Sequence, residues 1–313
     1  MAYNDQVARA AASALMPEDA ADTIIKAAIE SSAALSMFRR VTMSRAQQRL
    51  PVVSLLPSAF WVNGDTGLKQ TSRMEWANKY LNAEELAVIV PISDNVAEDA
   101  AFNIWDEVIP AAGEAIGLAF DAAVFLGLGK PASWDPDIST GAASAGNTVA
   151  RGTHSVAQGG VAQDVSDLMS LVEADGYDVN GFVANRNYKG LLRSLRDTLG
   201  QRLLDVNVSG NEINGAPVHY GIAGYWSANS GQPELIGGDF SKGIVGIRRD
   251  IEWRILDQAV IQDNTGAIVY NFAQQDMKGL RMTFRGAFQV ANPPNRWNPN
   301  AGTRYPFATA TKP

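Results

Sequence analysis

Between Ser58 and Gly129 a long charged hairpin is predicted to feed a single long helix, and this unit limits what the rest of the chain can become. The hairpin reads from Trp61 through Lys69-Gln70-Thr71-Ser72-Arg73-Met74-Glu75-Trp76 to a return strand at Leu86-Ala87-Val88-Ile89-Val90, with Asn82-Ala83-Glu84-Glu85 as the break. A solitary two-stranded ribbon is marginal in water, so one this long must lean on something else, and another subunit is one such support. In residues 68 to 80, Leu68, Met74, Trp76 and Tyr80 share one face; Lys69, Arg73, Glu75 and Lys79 take the other. Mixed charge of this kind guards an exposed edge against indiscriminate pairing, and the same charges can choose a partner.

Pro91-Ile92-Ser93 ends the return strand. Val96, Ala100, Ile104, Val108, Ala112, Ile116 and Phe120 then recur at i+4 steps, predicting a helix to about Leu126. Its roughly 32 residues would span about 48 Å at 1.5 Å each. Pro110 lies inside and is expected to kink or divide it, and Gly127, Gly129 and Pro131 stop it.

Upstream, Glu18 to Arg39 reads as a helix, with Ile24, Ile25, Ala28, Ile29, Ala33 and Leu35 at helical spacing. Arg39, Arg40, Arg45 and Arg49 follow, and Pro51 to Pro57 is a short extended piece. Pro131 to Gly160, rich in Gly, Ala, Ser, Asn and Thr, reads as a long loop. A compact α/β lobe comes next. Its helices are Gln163 to Ala174 and Arg186 to about Leu199, the second capped by Asn185. Its strands are 182–184, 217–222, 234–236, 244–247 and 252–256, followed by further strands at 267–272 and 280–290. Asn292 to Pro313, rich in Pro and Asn, is expected to be an extended arm without packing.

Composition narrows the function classes. The 313 residues are 46% hydrophobic and 19% charged, which suits folded lobes and not wholesale disorder. A net charge of −7 offers no global basic field for nucleic acid or anionic membrane, although a container's inner wall gains nothing by adhering to its contents. The absence of cysteine excludes disulfides and thiolate metal sites. No window is expected to reach the ~20 apolar residues of a membrane span, and Met1 to Leu15 has no signal-peptide core.

Four segments, in this order, resemble the major capsid proteins of tailed bacteriophages with the Hong Kong 97-type shell fold. They are the N-terminal helix running into Met43 and Leu50-Pro51-Val52; the hairpin, similar to the family's extended loop; Val90-Pro91-Ile92-Ser93 leading to the long helix and closing with Asp121 and Gly127-Leu128-Gly129; and Phe284-Arg285-Gly286-Ala287-Phe288. The resemblance covers nearly the whole chain, and the order and spacing of the segments carry it. It implies an α+β capsid fold with an N-terminal arm and helix (1–36), a segment leading into the peripheral domain (37–57), an extended β-hairpin loop (58–93), the spine helix of the peripheral domain (94–130), an axial domain (131–250), peripheral strands (251–292) and a C-terminal arm (293–313). The implied function is non-catalytic: self-assembly into hexamers and pentamers of an icosahedral head enclosing double-stranded DNA, as part of the virion, assembled in the cytoplasm of a bacterial host. Implied partners are other copies of the chain, a separate scaffolding protein, a portal, a decoration protein where one is used, and packaged DNA without sequence-specific contacts. No cofactor, metal or membrane is implied. An encapsulin-type shell enclosing protein cargo shares the fold and is the alternative.

Candidate contacts between subunits are Trp61, Lys69, Arg73, Met74, Glu75, Trp76 and Lys79 on the hairpin, with Arg39 and Arg40. Arginine forks suit carboxylates at interfaces, though the Arg39 to Arg49 cluster can also touch DNA. Some members of the family join subunits by an isopeptide bond between a loop lysine and an asparagine, assisted by a carboxylate. Lys69 and Asp276 fall near two of those positions; the asparagine's position falls on Val269, with Asn271 close by. An ordinary lysine is protonated and not nucleophilic, so Lys69 also reads as an interface or solvated charge. Elsewhere the chemistry is thin. His154 and His219 do not make a transition-metal site, Trp134-Asp135-Pro136-Asp137 is a turn sequence, and Glu84-Glu85 and Glu98-Asp99 read as a turn and a helix first turn.

Overall fold

A computed structural model describes residues 32–62, 67–99, 103–195, 212–221, 226, 229–263 and 265–313. In chain order the elements are α1 (Ala33–Met37), β1 (Arg39–Thr42), β2 (Gln47–Leu55), β3 (Glu75–Asn82), β4 (Glu84–Ser93), α2 (Asp94–Asp99) and α3 (Trp105–Leu126). They continue with α4 (Ile138–Ala145), β5 (Thr148–Ala150), α5 (Val161–Ala174), β6 (Gly181–Asn185), α6 (Arg186–Ser194), β7 (Glu212–Ile213), β8 (Ala216–Gly221) and β9 (Pro233–Gly238). The last are β10 (Gly243–Leu256), β11 (Val260–Gln262), β12 (Ile268–Asn271), α7 (Phe272–Gln275), β13 (Met277–Val290) and β14 (Phe307–Thr311). This mixture of helix and sheet is the expected α+β class.

The chain divides into two compact units. The larger holds Ser31–Glu84, Leu118–Arg248 and Arg285–Pro313; the described part of the smaller holds Glu85–Gly117 and Arg249–Phe284.

In the larger unit a six-stranded sheet has the order β5-β14-β9-β6-β8-β7. The amphipathic helix α5 lays Val165, Leu168 and Val172 in a core with Phe182, Ala184, Tyr188, Leu235, Ala308 and Ala310. Asn185 caps α6 as expected, its side chain accepting from the Asn187 N–H at 3.1 Å. The C-terminal stretch is not an arm: β14 lies inside this sheet, parallel to β5 and antiparallel to β9. Phe307 to Ala310 are buried because sheet lies on both sides of them. Gly238 permits the approach, since a side chain there would meet the Pro306 carbonyl. Arg304, also buried, donates to Asn292 Oδ1 at 2.9 Å and to the Asn298 carbonyl at 2.7 Å.

The stretch from Pro131 to Gly160 is likewise not one loop. Asp137 caps α4, accepting from the Thr140 N–H at 3.0 Å, and β5 follows. A second core is aromatic, with Phe38 against Phe125, Phe240 and Phe288 at 5.7, 5.4 and 5.7 Å between ring centroids.

The predicted N-terminal helix is interrupted. Ser32 has extended backbone and caps the five-residue α1, and Arg39 and Arg40 are in strand β1, parallel to β10. Residues 18–31 of that prediction lie outside the described residues. The long helix is also shorter than expected. Pro110 sits within α3 without ending it; the helix starts at Trp105, after non-helical Asn103, whose side chain accepts from the Trp105 N–H at 3.3 Å. Glu98 and Asp99 close α2 and do not open a helix. Contrary to expectation, α3 is long and apolar enough to cross a membrane by length and composition. Buried Ala112, Ile116, Phe120 and Phe125 mark it instead as a core helix.

In the smaller unit Asp94 opens α2, its N–H donating to the Asp276 carbonyl at 2.9 Å and its carboxylate 3.2 Å from Lys278. Phe272 is buried there, close against Gly279.

Candidate inter-subunit surface

The predicted hairpin exists with a different partner. β3 pairs antiparallel with β2, from Gln47 opposite Asn82 to Val53 opposite Trp76, and a bulge precedes Leu55 opposite Glu75. The return strand expected at Leu86–Val90 is β4, which belongs to another sheet, and Asn82 to Glu85 is a near-continuous passage from β3 into β4. Pro51 is tolerated because β2 has one free edge.

The ribbon has a fixed root. Leu81 is buried with Met43, Ile244 and Ala287, and Leu50 packs on the same cluster. The Trp134 indole donates to the Asn82 carbonyl at 2.9 Å, and Ser133 Oγ to Glu84 at 2.6 Å. Lys79 belongs to this root: its ammonium donates to the Val290 carbonyl at 3.0 Å and lies 3.7 Å from Asp135. It is therefore a poor candidate for contact with another copy.

Away from the root the apolar face lies in water. Trp76 is 62% exposed, Tyr80 46%, Leu68 93%, and Trp61 is fully exposed. Met74 on the connection is partly exposed, and Lys69 is exposed. Register places Arg49, Val53, Trp76 and Tyr80 on one face, with Lys79 and Leu81 on the other. Arg73 and Glu75 are paired at 2.8 Å in the open. Arg39 is exposed, whereas Arg40 donates to the Leu35 carbonyl at 2.8 Å.

Sequence reasoning passed over Leu55, Phe60 and Val62, which extend the exposed apolar surface. Leu55 also lines a shallow groove with Leu56, Pro57, Pro294, Arg296 and Pro299, where Arg296 donates to the Pro57 carbonyl at 2.9 Å. For Phe60 and Val62, an apolar run between Pro57 and Gly64 was the available signal. Asn271 and Asp276 flank α7 in the smaller unit, and Asp276 adopts a left-handed backbone with φ 48°.

Among the described residues no group of three or more His, Asp or Glu could hold a metal ion. His154 is held by carboxylates, its Nδ1 2.8 Å from buried Asp164 and its Nε2 3.5 Å from Asp167. His219 is half-buried, and that burial lowers its basicity; burial also pushes the Tyr188 hydroxyl well above its usual range. These are structural positions.

The sequence profile of the Phage capsid family matches residues 12–295. The major capsid protein of Staphylococcus phage 80alpha is 28% identical over 276 residues, covering 86% of this chain and 79% of that one. A solved chain from Microbacterium phage Oxtober96 is 38% identical, with TM-score 0.78, covering 98% of this chain and all of that one. One from Mycobacterium phage Cain is 29% identical, with TM-score 0.79, covering 98% and 99%. An encapsulin-type cargo shell is not favoured beside these phage relatives. A ribbon rooted on a folded subunit, with its apolar face left open, suits a chain built to join copies of itself, and this chain belongs to the phage capsid family as a non-enzymatic major capsid protein of the Hong Kong 97-type fold.

Proposed function

We propose that the β2–β3 ribbon and its connection lie over a neighbouring subunit within the hexamers and pentamers of an icosahedral head. The observation that carries this is the ribbon's division into a buried root at Leu81 and an open apolar face at Trp76 and Tyr80. Covering that face needs an apolar partner, and repeated copies supply one. The six-stranded lobe would be the axial domain around the five-fold and six-fold positions, and α3 would be the spine of the peripheral domain. Folding and assembly are then linked, because the contacts of the ribbon's open face exist in the shell alone.

Arg39 and the exposed Arg45 and Arg49 fit carboxylates of adjacent copies in this reading. Lys69 is an interface charge; a covalent bond through it would give a ladder above monomer in denaturing electrophoresis of mature particles, and monomer alone would exclude it. A separate scaffolding protein, a portal, a decoration protein and DNA held without sequence-specific contacts complete the partners, with assembly in the cytoplasm of a bacterial host. Negative-stain microscopy of the expressed protein, alone and with the proteins of neighbouring reading frames, tests the whole reading. Closed shells are expected; a small soluble oligomer under every condition would overturn it.

A further inference from the structure

The β2–β3 ribbon has two free edges, and the phase of its hydrogen bonds sets what each edge presents. Antiparallel partners alternate between pairs that exchange main-chain bonds and pairs whose N–H and C=O groups turn outward. The Ala83 N–H donates to the Ala46 carbonyl at 2.8 Å, one step beyond Gln47 opposite Asn82. That bond fixes the phase. Gln48–Leu81, Leu50–Lys79 and Val52–Ala77 therefore exchange bonds, whereas Arg49–Tyr80, Pro51–Asn78 and Val53–Trp76 turn their groups to the edges. Two contacts from outside the ribbon agree. The Tyr80 carbonyl accepts from the Gln289 amide at 3.5 Å, and the Asn82 carbonyl from the Trp134 indole at 2.9 Å.

The two edges differ. On β2, Pro51 has no N–H to offer, Arg49 is charged and exposed, and the register shifts between Val53 and Leu55. Proline, charge and a bulge are the usual protections of a free edge. The outward-turned residues of β3, namely Trp76, Asn78 and Tyr80, include neither proline nor charge, and all three are exposed. Toward the root the Tyr80 and Asn82 carbonyls are already taken. The open stretch is therefore Trp76 to Asn78, and no third strand lies beside it among the described residues.

The geometry points to strand addition: the Trp76–Asn78 edge of β3 receives an extended strand from a second copy of this chain, while the β2 edge stays closed. This rests on the reading that a neighbour covers the ribbon's open face, and it names how that neighbour is held. Alternation puts the side chains of Trp76, Asn78 and Tyr80 on the open face and their main-chain groups at the edge. A copy seated on that face thus reaches the edge without a separate surface. Covering the face also withdraws water from the edge, and main-chain groups left dry and unpaired are costly, so whatever excludes the water must supply partners. A capsid protein meets other copies of itself throughout its shell, which makes a second copy the donor. Contacts within a hexamer or pentamer run head to tail, so the donated strand is a segment other than β3.

Two variants at one position separate main chain from side chain. Asn78→Pro removes an outward N–H and no ladder bond, as Pro51 does directly opposite. Its free subunit should melt as the wild type does, while the protein concentration needed for shells in negative-stain microscopy rises about tenfold or more. Asn78→Ala keeps the N–H and should need a concentration within about twofold of the wild type's. An equal rise in Asn78→Ala would assign the effect to the side chain and overturn strand addition. Shells of Asn78→Pro at the wild-type concentration would overturn it too. If Trp76→Asp still blocks assembly in that case, the ribbon reading survives; if both variants assemble, both readings fall. Should Asn78→Pro not fold, hydrogen exchange on the wild-type chain decides. The Trp76 and Asn78 amides should exchange freely in subunits and slow about tenfold or more in shells of this chain. Unchanged exchange there, or protection seen solely in particles carrying another protein, would rule out strand addition between copies.

Discussion

The six-stranded lobe and the β2–β3 ribbon belong to the same unit of the chain, yet they treat apolar surface in opposite ways. In the lobe Leu168, Phe182, Leu235 and Phe307 have no exposure at all, and each is covered by another part of the same subunit. In the ribbon Trp76 and Tyr80 stand in water beside a root that is itself well buried. Full burial of one such side chain contributes roughly 1.5–3 kcal/mol, so the ribbon withholds from the subunit several kcal/mol that a neighbour can release. The lobe covers its apolar surface with its own contacts, and in the proposed shell the ribbon's open face is covered by a neighbour.

The severest way to break that contrast is to end the chain before Phe307. β14 lies between β5 and β9, so its loss unpairs two strands at once and opens the core at Ala308 and Ala310. The shortened chain should aggregate and show no cooperative unfolding by circular dichroism. A soluble product with a sharp melt would mean that the lobe does not need its inner strand. The counterpart in the ribbon is Trp76→Asp, which should abolish shells in the electron microscope. Unassembled subunits should melt as the wild type does, within about 0.5 kcal/mol, as expected for an exposed position. Shells of normal yield would show that this face is not what joins the copies.

The same contrast explains what could be read in advance. α5, β6 and α6 were legible because helical periodicity, a buried apolar run and the Asn185 cap are local signals. β14 was not: Phe307-Ala308-Thr309-Ala310-Thr311 is made of small residues after a Pro- and Asn-rich stretch, and its burial comes wholly from β5 and β9 far back in sequence. The ribbon's apolar and charged faces at Trp76, Tyr80, Glu75 and Lys79 followed from alternation. Its partner did not. A turn-like Asn82-Ala83-Glu84-Glu85 favoured the next strand, whereas β2 pairs with β3 across a connection running from Leu56 to Met74. Among the candidate contacts, Trp76 stands in the open in the single subunit, while Lys79 is engaged by the Val290 carbonyl, which lies more than 200 residues away and leaves no trace near position 79.

Lys79→Met sharpens the boundary between root and open face. It removes the bond to the Val290 carbonyl and the approach to Asp135 while keeping much of the apolar stem. A loss of about 1 kcal/mol in subunit stability is expected, read from a denaturant midpoint. No loss would place Lys79 with the partner-facing residues after all.

The smallest effect concerns Arg73 and Glu75, paired at 2.8 Å but both exposed. An exposed pair of this kind is worth about 0.2–1 kcal/mol at most, because water and salt screen it. A double-mutant cycle with Arg73→Ala and Glu75→Ala should therefore find little coupling in the free subunit. Assembly gives the same cycle a different meaning. If these charges choose a partner, each single variant should shift the salt concentration at which shells form, and the two shifts should fail to add, because burial against a neighbour removes the screening. Additive shifts would assign the charges to solubility alone, and discrimination between partners would then rest on the apolar face of Trp76 and Tyr80.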